Sequence, residues 1–525
     1  MTEMGTVLPR HSRHPLARDI QIYRVGEFLS EVLIYSMVVF SPWAFGSTDD
    51  WAVRVMNGGG YILGLLLAIK LAVRARTGYQ PPRWDTGNRL KAGGGKLKKA
   101  LVGLTFAVPA YCLVAALNAR STYRLDLRGF DYHPSVGWLP SSLESASTWF
   151  VFWCALGLAC SFWALRDWLL GKSTDEIMGG KRGQSLPESG PPPGLPKRWR
   201  RLLWLLSLNG GILGVEGIVQ RLANNPKLLF LVLPAIHQTA ETQFGPYAYR
   251  SNAAQYFNLL WPATLGFWWV LGQNGGTKSP ARHLLLLCAA IMAACPIIST
   301  SRGGALVAAG QCLVATAFLL AGEARRRRIA DRAEENDRAG IGPLPAKRWR
   351  WAGAAPGIFL IASLSLGFSL GWGALKPRMA KITEGYRYRE RMYQFAEPMA
   401  ADYPVYGIGP GAFVYVFQLY RMSTSTYWPP ELHNDWLETR ISFGWAGSAI
   451  IALALALVAL RWFVPDGLAG SPLFTAMLWL AAGGCLIHAR FDFPFQVYSV
   501  VFLFLVWCAM LATLSRPVLR SSGRA

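Results

Sequence analysis

The chain has 525 residues, of which 52% are hydrophobic and only 16% charged, whereas a soluble domain carries about a quarter charged residues. Long apolar runs recur along its whole length, which excludes an ordinary soluble globular fold. The net charge of +23 is scattered over the segments between those runs; this argues against nucleic-acid binding and for topology signals and contacts with anionic membrane lipids.

A polar tail (1–24) carries no cleavable signal peptide pattern. The apolar runs then fall at 25–45, 53–73, 100–117, 147–169, 202–220, 253–272, 283–300, 303–321, 353–374, 441–463, 473–489 and 495–514. Each is long enough, or nearly so, to cross a bilayer. The expected fold is therefore all-α: a polytopic membrane protein with about twelve transmembrane helices and one large, partly helical periplasmic loop. If the N-terminus is inside, about two-thirds of the Lys and Arg residues fall on the cytoplasmic side, as the positive-inside rule requires. Both termini are then cytoplasmic. The division expected is a cytoplasmic tail (1–24), nine helices with basic cytoplasmic loops (25–373), the periplasmic loop (374–440), three more helices (441–514) and a cytoplasmic tail (515–525).

Among the inside segments, GGKRGQSLPESGPPPGLPKRWR (179–200) reads as a flexible linker and EARRRRIADRAEENDRA (323–339) as a short surface helix. The eight cysteines lie in or beside apolar runs and read as packing residues, without the spacing of a zinc site or disulfide framework. The 374–440 segment is rich in tyrosine and reads as a folded cap, with a helix over about 386–402 ending ahead of Pro404 and a glycine turn, GIGPGAF, after it. Its basic residues depart from the positive-inside pattern.

Four stretches carry candidate chemistry. In STSRGGALV (299–307), Arg302 and two glycines open a helix, so amides, hydroxyls and a guanidinium could together hold a phosphate; a snorkelling arginine explains the same residues. In RYRER (387–391), Arg387 and Arg391 share one helix face and Arg389 lies nearly opposite, so the three cannot converge on one ligand. In ELHNDWLETRISFGWAG (431–447), His433 is expected in the first turn of a helix, where the positive end of the dipole favours the neutral imidazole that a general base needs. Asn434 and Asp435 could orient its ring if the backbone there is not helical. In HARFDFPF (488–495), His488, Arg490 and Asp492 are costly at membrane depth, and Arg490 could pair with Asp492. Asp49 and Asp50 lack partner ligands, and no metal-ligand spacing is present. On the assumed topology all four stretches share the outer face, which suits arginines around a lipid pyrophosphate and a base for an acceptor hydroxyl.

Taken in order, Ser301-Arg302-Gly303-Gly304, Arg389 four residues before Tyr393, DYPVYGIGPGAF (402–413), HNDWLETRISFGWAG (433–447) and HARFDFPFQ (488–496) resemble the bacterial O-antigen ligase and polymerase superfamily. FGPYAYRSNAAQYFNLLWP (244–262) resembles that family's segment before its sixth span. The resemblance covers about Phe244 to the C-terminus by motif. It implies an inner-membrane glycosyltransferase that moves a glycan from undecaprenyl pyrophosphate to an acceptor hydroxyl on the periplasmic side, with inversion and without metal or other cofactor. By position, His433, Arg302 and Arg389 would be catalytic. Arg250, Arg391, Asn434, Asp435, His488 and Arg490 would bind substrate. The expected partners are the lipid-linked donor, a lipid or polysaccharide acceptor and membrane lipids, with no nucleic acid. Tyr393 stands where the family usually has Trp, and Ser442 occupies a position that is often acidic. Alternatives within the chemistry are an O-antigen or exopolysaccharide polymerase and a protein O-oligosaccharyltransferase. Outside it stand a small-anion transporter, which would need charge near the bilayer midplane, and a non-catalytic scaffold.

Overall fold

A computed structural model describes residues 17–85, 93–181, 195–236, 238–273, 281–338, 355–422, 429–464 and 468–515. Most of both terminal tails, most of the 179–200 linker and much of the basic runs around 89–99 and 346–351 lie outside the described residues. The chain forms α1 (Ala17–Trp43), α2 (Asp50–Thr77), α3 (Gly93–Leu117), a hairpin of β1 (Ser121–Arg124) with β2 (Gly129–Tyr132), and α4 (Ser145–Leu169). After these come α5 (Thr174–Lys181), α6 (Lys197–Leu222), α7 (Arg250–Gln273), α8 (Arg282–Ile298), α9 (Arg302–Arg338), α10 (Ala355–Gly367), α11 (Gly373–Ala380) and α12 (Ile382–Asp402). The short α13 (Phe413–Val416), α14 (Asp435–Arg461), β3 (Leu468–Ala469), α15 (Pro472–His488), α16 (Tyr498–Leu511) and β4 (Leu514–Ser515) complete it.

The molecule is mostly helical, as expected, with a helix at every apolar run. Among the described residues, eight helices are long and apolar enough to cross a membrane: α1, α2, α3, α4, α6, α9, α14 and the column over Pro356–Ala380. The apolar α8, α15 and α16 are shorter. α7 differs in kind, for Ser251–Leu271 are all buried. A helix covered on every side is the central post of a bundle, which explains why α7 can carry Asn252, Gln255 and Asn258 where a lipid-facing helix could not. The basic stretch at 323–338 is no separate surface helix. It continues α9 straight through Gly322, where a Cβ would press on Leu473 and Trp269.

Residues 382–422 and 429–441 build a cap with its own apolar core. Met392, Tyr393, Ala396, Met399 and Ala400 line one side of α12 and meet Ile408, Phe413, Phe417, Leu432 and Ile441. The turn 404–409 lies along a break in α14 at Gly444, whose φ of 58° and ψ of −166° are non-helical. Ile408 N–H donates to the Ile441 carbonyl at 2.9 Å, and Trp445 N–H to the Pro404 carbonyl at 2.9 Å. The hydroxyl of Tyr111 donates to the carbonyls of Tyr406 and Phe443 at 2.7 and 3.0 Å, tying the turn to the helix beside the break. A Cβ on Gly407 would sit 2.5 Å from the Ile441 and Ser442 carbonyl oxygens. The glycine turn is therefore a backbone-to-backbone clamp on α14.

Candidate active site

The break in α14 and the clamp hold the helix start, and with it His433, against the loop between α15 and α16. His433 stands one residue ahead of the N-cap, not in the first helical turn, and has φ of 59°. This left-handed backbone is uncommon for a residue with a Cβ. Its carbonyl accepts from the Tyr393 hydroxyl at 2.8 Å. Burial pushes that phenol up to about 12, so it remains a donor.

The ring of His433 is held by Asp492. Nδ1 donates to Asp492 Oδ1 at 2.9 Å, the imidazole is about a quarter exposed, and the carboxyl is nearly covered. The Ser251 hydroxyl donates to Asp492 Oδ2, and Arg389 Nη2 lies 3.6 Å from the same oxygen. Burial alone would raise the Asp492 acid. The hydrogen bond and charge of His433, with Arg389 and His488 beyond it, outweigh burial and hold the acid well below the usual carboxylate range. With Asp492 ionised and accepting at Nδ1, the free Nε2 of His433 is the nitrogen that can take a proton. Phe493 packs on the ring, centroids 4.9 Å apart, and Tyr249 stacks on Phe493 at 5.4 Å.

Asn434 and Asp435 do not orient this ring. Asn434 caps α14 by accepting from Leu437 N–H at 3.2 Å. Asp435 accepts from Phe495 N–H at 2.8 Å and Gln496 at 3.3 Å. Side chains one and two residues along point elsewhere, and the distant Asp492 performs the task assigned to them. Arg490 does not pair with Asp492 either. Its guanidinium lies over the Tyr393 and Phe491 rings at 5.9 and 6.0 Å.

Of the RYRER arginines, Arg389 alone turns inward, where it also donates to the Phe491 carbonyl; Arg387 and Arg391 are exposed. His488 is buried, bonded through Nδ1 to Gln255, with Nε2 3.3 Å from Ser251 Oγ and 3.8 Å from Asp492 Oδ2. It buttresses Asp492 from behind.

Arg302 opens α9, but the Gly304 amide after it is already taken. Ser301 Oγ accepts from Gly304 N–H at 3.1 Å. A Cβ on Gly304 would lie 2.4 Å from Ala254 Cβ, and one on Gly303 3.1 Å from His488 Nε2. Those glycines let α9 pack tightly on α7 and α15. The Arg302 guanidinium instead reaches Gly385 on α12 and donates to the Lys381 carbonyl at 2.9 Å.

Around it gathers a larger basic set. Arg302 lies within electrostatic range of Arg389 and Arg378, and Arg250 within range of Arg378, Arg221 and Arg302. Tyr249 is hydrogen-bonded to Arg389 and shares the field of Arg250, Arg302 and Arg378. Arg250 itself donates to the Glu241 carbonyl at 2.6 Å, and Arg221 to the Gln243 carbonyl at 2.8 Å. Arg221, Arg378, Tyr249 and Ser251 escape a reading by motif, because helix-end arginines and aromatics are ordinary in membrane proteins.

Fold and site together define a polytopic membrane protein with an imidazole–carboxylate pair set beside a cluster of arginines, beneath a folded cap. That arrangement can accept a proton and stabilise an anionic leaving group in one place. Residues 287–452 match the O-antigen ligase family, and the match supports membership of the O-antigen ligase superfamily. The matched segment holds Arg302, Arg389 and His433; Asp492 and Arg250 lie outside it. No curated protein matches the chain.

Proposed function

We propose that the protein is a bacterial inner-membrane glycosyltransferase of the O-antigen ligase type. In this reading it transfers a glycan from undecaprenyl pyrophosphate to an acceptor hydroxyl on the periplasmic face. The observation that carries it is the Asp492–His433 pair beside the Arg302 and Arg389 guanidiniums, within or next to the matched segment.

Asp492 holds the imidazole with Nδ1–H donating, so that Nε2 takes the proton from the acceptor hydroxyl. The hydroxyl oxygen attacks the anomeric carbon, and the bond from that carbon to the pyrophosphate oxygen breaks on the opposite face, inverting the centre. The electron pair leaves on the pyrophosphate. Arg302 and Arg389, with Arg250 and Arg378 beside them, stabilise the growing charge.

The test is glycan transfer in proteoliposomes with a defined undecaprenyl-pyrophosphate glycan. His433→Ala abolishes transfer while the protein remains folded and embedded; full transfer by that variant defeats the assignment. Arg302→Lys recovers little of what Arg302→Ala loses, because an ammonium cannot grip a phosphate bidentately. Glycan profiles in a deletion strain identify the acceptor step: loss of attached polymer marks a ligase, and attachment of single repeats only marks a polymerase.

A further inference from the structure

Away from the arginine cluster there is a second place where cations outnumber the carboxylates that face them. At the other end of α4, about 30 Å along the helix from Ser145, the chain encloses a cleft of about 830 Å³ between α2, α3 and the loop after α2. It exists because α2 and α3 both pack on α4 while barely touching each other. One end is charged, with Arg74, Arg83, Lys98 and Arg166 against Asp85 and Asp167. The rest is apolar, with Leu67, Ala68 and Leu71 of α2 facing Val102 and Phe106 of α3.

The carboxylates in this cleft are already committed. Asp167 is held by Arg74 at 2.8 and 2.9 Å, by Arg83 at 2.6 Å and by Lys70 at 3.3 Å. Asp85 is held by Arg83 at 2.9 Å. Arg166 receives neither. It is 5% exposed, its Nε has no hydrogen-bond partner among the described residues, and its guanidinium lies 5.5 Å from the Trp163 ring. A buried guanidinium with an unmet donor is costly, and this one lines an open cleft within electrostatic range of the Lys98 ammonium on α3. The apolar part runs from Gly64 to Arg74 along α2, about 15 Å. It opens sideways where Leu71, Val102 and Phe106 are exposed on the outer surface of the bundle. A free phosphate would fill only the charged end, whereas a phosphate bearing an acyl chain fills both.

We propose that the cleft between α2 and α3 is a binding site for an anionic phospholipid, with the headgroup phosphate on Arg166 and Lys98 and an acyl chain along Leu67, Ala68, Leu71 and Phe106. The site is independent of the transfer centre at the other end of the bundle. The ligand class follows from the pairing of unmatched cations with an apolar trough.

The test uses the full chain in phosphatidylcholine nanodiscs containing a phosphatidylglycerol with a photoactivatable acyl chain. Saturable labelling is expected on peptides containing Leu67–Leu71 and Val102–Phe106, competed by phosphatidylglycerol and not by phosphatidylcholine. Lys98→Gln, at an exposed position, weakens the competition about fivefold, as one surface charge should. Arg166→Gln weakens it at least as much, and Arg166→Lys restores part of it. Ala68→Phe, which fills the trough, removes acyl labelling. Labelling that is absent from these peptides, or unchanged in a folded Lys98→Gln variant, overturns the proposal. Competition by soluble glycerol phosphate as strong as by the lipid overturns the lipid assignment and leaves a free-phosphate site.

Discussion

His433 combines a task with a strained backbone. Left-handed φ costs a residue with a Cβ about 1 kcal/mol or more, and here it aims the ring back at Asp492 instead of along α14. His433→Gly and His433→Ala should both be inactive, yet the glycine variant should unfold at the higher temperature, by about 1 kcal/mol of relieved strain; equal melting temperatures would contradict strain there. The residues with chemistry were legible from motif order. The opposition of Arg389 to Arg387 and Arg391 was legible from helix spacing, but which of them turns inward was not, since that depends on where Asp492 and the loop before α16 stand. What could not be read is that Asp492, 59 residues away, holds the histidine. Adjacent Asn434 and Asp435 looked better placed, but their side chains are spent on capping and on the loop before α16.

Elements decide whether these residues meet. The 404–409 turn grips α14 through glycine backbone, so Gly407→Ala would force a methyl into two carbonyl oxygens and place a Cβ at φ 69°. A loss of at least about 1–3 kcal/mol is expected, with His433 displaced; a variant of unchanged stability and activity would refute the clamp. Gly385→Val should behave differently. Its side chain meets only the mobile end of Arg302, so transfer should fall while thermal stability is nearly kept; unaltered transfer would place Arg302 outside the leaving-group site. In the loop leading to α14, burial, then the charges of Glu438 and Asp492, push the Glu431 carboxyl up to about 8. In the unfolded chain it ionises near the ordinary 4.3. Between about 4.3 and 8 the unfolded state therefore binds fewer protons, and stability falls as pH rises. Melting temperature should depend less on pH over that window in Glu431→Gln; an identical slope would show that Glu431 does not titrate there. Helix positions were legible because apolar runs of this length have few other fates. The break at Gly444 was not, since it depends on the 404–409 backbone being present to satisfy the chain. Neither was the continuation of α9 through 338, since Gly322 and the switch to charged residues read as a helix end.

For the whole molecule, charge asymmetry and the bundle point one way. The arginine-rich centre sits under the cap at one end, while an unmatched arginine and lysine line a cleft at the other. Cysteine labelling at exposed Arg391 and at Lys98 should report opposite sides of the membrane, with Arg391 accessible from the periplasm; same-side labelling would overturn the orientation. The central claim is that Asp492 and His433 act as one unit in proton transfer. It is tested most directly by single-turnover transfer rates in proteoliposomes for Asp492→Asn, His433→Ala and the double variant. Groups that act together are strongly non-additive, so each single change should cost about a hundredfold or more and the double variant scarcely more than His433→Ala alone. Losses that simply multiply, or a His433→Ala variant that transfers at the native rate, would contradict the account.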